Sequence, residues 1–188
     1  MAKGGFSGRR NELEEQFFLE KDRELLQALR EQRASKERKK ALAETLGVTD
    51  EDLLHQLDEL DIASETVMAL SLVPLISVAW ADGTIDDKER RAVIEAAEQM
   101  GMDEENPGHE LLERWLGRKP DAALLGVWKD YASALLQTLG EPARSALKND
   151  ILGRAKQIAE TTGGLLGLGS KVSKSEQAVL DDLAEALE

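Results

Sequence analysis

The residues best equipped for chemistry lie together at Asp82-Gly83-Thr84-Ile85-Asp86-Asp87-Lys88-Glu89. Carboxylates clustered around a glycine turn offer oxygens to a hard cation such as Ca²⁺ or Mg²⁺. The run matches the second half of an EF-hand calcium loop, with Asp82, Asp86 and Glu89 at loop positions 5, 9 and 12. In that register Gly83 makes the sharp turn and Ile85 points into a core. Loop positions 1 and 3 fall on Val78 and Trp80, whose side chains cannot ligate such an ion, so a standard loop is excluded. Three carboxylates on one turn still suit a divalent metal if other segments add oxygens. The same spacing serves a second purpose. Asp86-x-x-Glu89 is a capping box, in which Asp86 accepts from early helical N–H groups and Glu89 reaches back. Asp82 then bonds the loop backbone. Spacing alone leaves both readings open.

A weak internal repeat involves the same turn. Ile158 to Gly163 aligns with Val78 to Gly83, and Val172-Ser173-Lys174-Ser175-Glu176 aligns with Ile85 to Glu89. The second copy carries 7 extra residues between its glycine and its aliphatic position. Both copies read as helix, glycine turn, aliphatic residue, capping box, helix. Glu176 is thereby a fourth candidate ligand, whereas Thr162 replaces the acid equivalent to Asp82.

These turns need helices to hold them. Leu and Ala dominate the apolar content, only 4% of residues are aromatic, and no segment alternates as a strand does. The pattern predicts a long charged helix from Asn11 to about Arg33, with Leu13, Phe17, Phe18, Leu25, Leu26 and Leu29 towards one side. Ser35 is expected to cap a second piece ending at Gly47, and Thr49-Asp50 to start a short helix to about Leu60. An apolar helix is expected from Ser64, with Pro74 either bending it or dividing it in two. Further helices are expected over 86–100, from Asn106-Pro107 to Gly117, over 120–139, from Pro142 to about 160, and over 174–187. Trp80, Trp115 and Trp128 are expected to anchor the core. The fold class is therefore all-α: a helical bundle over residues 62–188 preceded by an N-terminal amphipathic helical arm, residues 1–61.

Pro74 to Gly83, with Ile85 and Glu89, resembles the tellurite-resistance TerB-like family, and the repeat through Ser173 and Glu176 fits the same pattern. The resemblance covers residues 62–188. It implies a bundle of two related halves and a non-catalytic module of bacterial stress response, with metal held by Asp82, Asp86, Glu89 and Glu176. Thr162 and the inserted loop depart from the pattern and put a second, symmetrical ligand set in doubt. The fold also occurs as an interaction domain in a membrane-associated co-chaperone. In the arm, Phe6, Arg9, Glu14, Phe17, Glu24-Leu25 and Leu46-Gly47 loosely resemble the alphaproteobacterial ATP synthase inhibitor (zeta) family. That implies an alternative role, a scaffold or inhibitor whose arm docks on a larger complex such as ATP synthase. An amphipathic helix of this kind docks in a partner's groove, pairs with a second copy as a homo-oligomer, or folds back on its own bundle.

Composition closes other routes. With no cysteine and only His55 and His109, the 188-residue chain cannot build thiolate or His-rich metal sites. His109-Glu110-Leu111-Leu112-Glu113 lacks the second histidine of a zinc-protease helix. Gly164 to Lys171 imitates a phosphate-binding loop, but its lysine is one position late and a helix precedes it. Leu165, Leu166 and Leu168 are expected to tuck onto the bundle instead. No nucleophile–base arrangement can be argued, so no enzyme is expected. Residues 1–48 hold 11 Lys and Arg against 9 Asp and Glu, whereas residues 49–188 hold 13 against 28. Such an acidic body repels nucleic acid and anionic lipid and favours cations or a basic protein partner. The longest uncharged run, Thr66 to Ala81, is too short to span a bilayer and contains Pro74. The opening residues carry no secretory pattern. A cytoplasmic protein is expected, reaching a membrane only through a partner.

Overall fold

The computed structural model describes the backbone of residues 5–162 and 172–188, and the side chains of residues 20–21, 23–161 and 172–188. The described residues form an all-α fold of eight α-helices and one 3-10 helix. The expected tucking of Leu165, Leu166 and Leu168, and the phosphate-loop imitation, lie outside the described residues. So do the side chains of Leu13, Phe17 and Phe18.

Helix α1 runs from Gly5 to Leu46. The expected break at Ser35 does not occur. A serine inside a helix costs only about 0.5 kcal/mol relative to alanine, and here its hydroxyl has other work. Ser35 Oγ donates to Asp58 Oδ2 at 2.7 Å, beside the Arg38 guanidinium, whose Nε lies 2.6 Å from Asp58 Oδ1. Asp58 belongs to α2, Glu51–Glu59, which Asp50 caps by accepting from the N–H groups of Asp52 and Leu53. Gly47, at φ +66°, ends α1 in the left-handed conformation and lets the chain reverse into α2.

The hydrophobic core does not begin at residue 62. Leu42, Val48, Leu53, Leu54 and Leu57 are buried in one cluster with the later helices, and α2 packs against α6. Among the described side chains of α1, those of residues 20–21 and 23–34 stand clear of this core. Residues 23–34 are all exposed, so this stretch is not folded back on the bundle.

Pro74 divides rather than bends. A 3-10 helix, Val67–Leu72, leads into α3, Val73–Ala79, with Pro74 in the first turn, where its missing N–H costs nothing. The apolar segment thus becomes helical at Val67 rather than Ser64. Helix α4 is Asp87–Gln99, and Gly101 at φ +83° follows its end. Helix α5 is Pro107–Gly117, capped by Asn106. Helix α6 is Ala123–Thr138, starting later than Pro120 because Asp121 Oδ1 accepts from the Ala123 N–H at 2.8 Å. Helices α7, Glu141–Thr162, and α8, Lys174–Ala186, complete the bundle.

Helix α3 is the central rod. All of its residues but Ser77 are buried. It packs against α4, α6, α7 and α8, while α4 and α8 each pack against α7. Trp115 and Trp128 are buried as expected, and Trp80 is half-buried.

Candidate functional site

The turn after α3 is built mainly from hydrogen bonds to its own backbone. Gly83 takes φ +95°, a conformation that costs an L-residue about 1–2 kcal/mol. Asp82 is exposed, and its Oδ1 accepts from the Thr84 N–H at 2.9 Å and from Thr84 Oγ1 at 3.1 Å. Asp86 caps α4: its Oδ1 accepts from the N–H groups of Lys88 at 2.7 Å and Glu89 at 2.9 Å. Glu89 Oε2 accepts in return from the Asp86 N–H at 2.8 Å. The capping-box alternative is therefore realised in full.

The C-terminal copy repeats the device. Ser173 caps α8, its Oγ accepting from the Glu176 N–H at 3.2 Å, and Glu176 Oε2 accepts from the Ser173 N–H at 2.6 Å. Glu89 and Glu176 are the buried charged residues among the described ones, each 6% exposed. The aligned positions match in burial as well: Val78 with Ile158, and Ala79 with Ala159.

Burial pushes the Glu89 carboxyl above its ordinary value. The Asp86 N–H opposes that shift, and the charges of Asp86, Asp82 and Glu176 add to it. Glu176 is thus close enough for its charge to be felt at Glu89. The four predicted residues are nonetheless not gathered around one point. Asp82 and Asp86 are exposed, and among the described residues there is no group of three or more histidine or carboxylate side chains placed to hold a metal ion. The turn is tied sideways instead, by Trp80 Nε1 donating to the Trp115 carbonyl at 2.9 Å.

Two further features escape a motif-based reading. The first is a groove of about 930 Å3 between α1 and the start of α2, lined by Gln32, Lys36, Lys39, Lys40 and Ala43, with Arg38 adding a fourth cation and Glu31 and Glu51 two carboxylates. The lysine-rich run 36–40 was the signal that could have found it. The second is the bare outer stretch of α1, where Leu25, Leu26 and Leu29 are 60%, 54% and 47% exposed. Leucines so exposed on a helix lack the cover that would justify them energetically, since burying one is worth roughly 1.5–3 kcal/mol. They belong to the stripe seen in the sequence, but only the structure shows it uncovered.

Another apolar groove, of about 450 Å3, lies among Leu46, Met68, Trp128, Tyr131 and Ile151. Burial raises the Tyr131 hydroxyl above its ordinary value. Among the described residues no helix is long and apolar enough to cross a membrane. Comparison of the chain with protein-family models, with curated proteins and with solved structures gave no match.

Proposed function

We propose that this chain is a non-catalytic helical binding module that engages a protein partner, a different protein or a second copy of itself, through the outer part of α1. The observation that carries the reading is the uncovered stretch of 23–34, with three exposed leucines on a helix anchored at its base by Asp58. The bundle is the anchor and α1 the presented element, an arrangement suited to laying an amphipathic face in a partner's groove. The two packed helix pairs, α3 with α4 and α7 with α8, and their matched capping boxes support a bundle of two related halves of the TerB-like kind, and with it a role in bacterial stress response. A cytoplasmic protein docking on a larger assembly, ATP synthase among the candidates, fits the same surface.

The experiment is affinity capture with the full-length chain and with a Leu25→Glu/Leu29→Glu variant. Both changes fall on exposed positions, so the fold should persist, with thermal melting within about 4 °C of wild type, because surface substitutions usually stay within ±0.5 kcal/mol each. A partner retained by wild type and lost by the variant is the expected result. Identical capture by both proteins would remove α1 from the function.

A divalent cation at the turn is a second reading, carried by the two buried carboxylates, Glu89 and Glu176, each at the capping box of its own helix. Calorimetric titration with Ca²⁺ and Mg²⁺ decides it, since no heat at millimolar metal ends the cation reading and leaves the docking one untouched.

A further inference from the structure

We infer that the occupant of the outer stretch of α1 is the same stretch of a second copy of this chain, running antiparallel and centred near residue 27. The inference rests on the docking role proposed above and names its partner.

Leu25 and Leu29 are four residues apart on one face of α1. The 3-4 spacing of a two-stranded coiled coil carries that face through Asp22 and Gln32, then Phe18 and Lys36, then Glu15 and Lys39. Continued once more it reaches Ala43. Gln32, Lys36, Lys39 and Ala43 are residues that line the lysine-rich groove against α2. The leucine stripe therefore runs without interruption into a basic groove at the base of the same helix.

Charge is divided along the helix in the way this groove requires. Residues 11–24 hold six Asp and Glu against two Lys and Arg, and residues 30–40 hold six Lys and Arg against two Glu. A parallel pair would set each residue beside its own copy. Glu15, Asp22, Lys36 and Lys39 would then each meet a like charge, which destabilises the pair. An antiparallel pair centred at residue 27 sets Leu25 opposite Leu29, Glu15 opposite Lys39 and Asp22 opposite Gln32. The acidic outer segment of each copy lies along the basic groove of the other. The overlap from residue 15 to residue 39 is about 36 Å long at 1.5 Å per residue, with one bundle at each end of the rod.

The chain contains no cysteine, so introduced thiols report orientation cleanly. Full-length Asp22→Cys and Gln32→Cys proteins are oxidised separately and mixed. The antiparallel arrangement predicts a disulfide between the two variants and little within either alone. In it, two copies of position 22 stand about 15 Å apart along the rod, beyond the 4.4–6.8 Å that a disulfide spans between Cα atoms. Sedimentation of the wild-type chain should show a dimer whose dissociation constant rises at least about tenfold between 50 and 500 mM salt, as screening of surface charge requires. Homodisulfides within each variant, a monomer at every concentration up to about 0.5 mM, or indifference to salt would each overturn the inference. A monomer whose α1 captures a different protein in the leucine-dependent manner described above would overturn the second copy as partner while leaving the docking function in place. A monomer with no leucine-dependent partner would end both.

Discussion

Replacing Glu89 by alanine separates the capping role of the turn from a metal role. The loss can be worked from the structure. The Asp86 N–H gives up its 2.8 Å bond to Glu89 Oε2 in a half-buried position, a net cost of about 0.5–1.5 kcal/mol. The buried stem of Glu89 adds about 0.8 kcal/mol for its methylene. Removing a charge that burial disfavours offsets part of this. The expected destabilisation is about 1–2 kcal/mol, or about 3–6 °C in melting temperature for a chain of this length. Glu176→Ala should cost a similar amount, because its burial and its bond to the Ser173 N–H are equivalent. Asp82→Ala, at an exposed turn position, should cost under about 0.5 kcal/mol. Circular dichroism melts with and without 5 mM CaCl₂ or MgCl₂ make the comparison. If metal raises the wild-type melting temperature and Asp82→Ala abolishes that rise, the capping account of this turn is wrong, since a ligand stabilises only the state that binds it.

Further expectations follow from the same geometry. Glu89→Gln keeps an acceptor for the Asp86 N–H and removes the charge. Because the Glu89 carboxyl is raised in the folded state, the stability tied to it is complete below its unfolded value near 4.5 and lost as pH rises through the raised one. Glu89→Gln should therefore melt above wild type at pH 7, with the gap closing by pH 4. At Asp58 the sign reverses. The Arg38 hydrogen bond holds that carboxyl below its ordinary value, so its stability is present above about 3.8 and lost as pH falls through the lowered value. Arg38→Ala should flatten that acid dependence in melts taken between pH 2.5 and 5. Gly83→Ala should cost about 1–2 kcal/mol by chemical denaturation, from its φ of +95° alone, since the space around an added Cβ is open. Trp80→Phe should cost about 1 kcal/mol by losing the bond to the Trp115 carbonyl.

The helix ends were legible where a local group fixes them. Asn106-Pro107 and Asp86-x-x-Glu89 name their own boundaries, because cap and stop act within one turn. Ser35 misled because a serine caps only where the helix lacks a better continuation, and its partner, Asp58, is 23 residues away. That the core takes in residues before 62 was not legible, for a related reason. The burial of Leu42, Leu53, Leu54 and Leu57 depends on α2 lying against α6, which no periodicity within residues 1–61 reveals. At the turn, sequence spacing supplied both the cap and the ligand pattern, and the hydrogen bonds of Glu89 realise the cap. The groove beside Lys36 and Lys39 was hidden because a lysine run in a charged helix looks the same whether it faces solvent or flanks a neighbouring helix.

The central claim is that the outer part of α1 is bare in the lone chain and covered only by a partner. Amide hydrogen exchange, followed as protein concentration is raised, measures this directly. Residues 20–34 should exchange rapidly in dilute protein while α3 stays protected, with protection of 20–34 appearing as the chain associates. Slow exchange of 20–34, matching α3 in a dilute monomer, would mean that the helix is covered by its own bundle and would contradict the account.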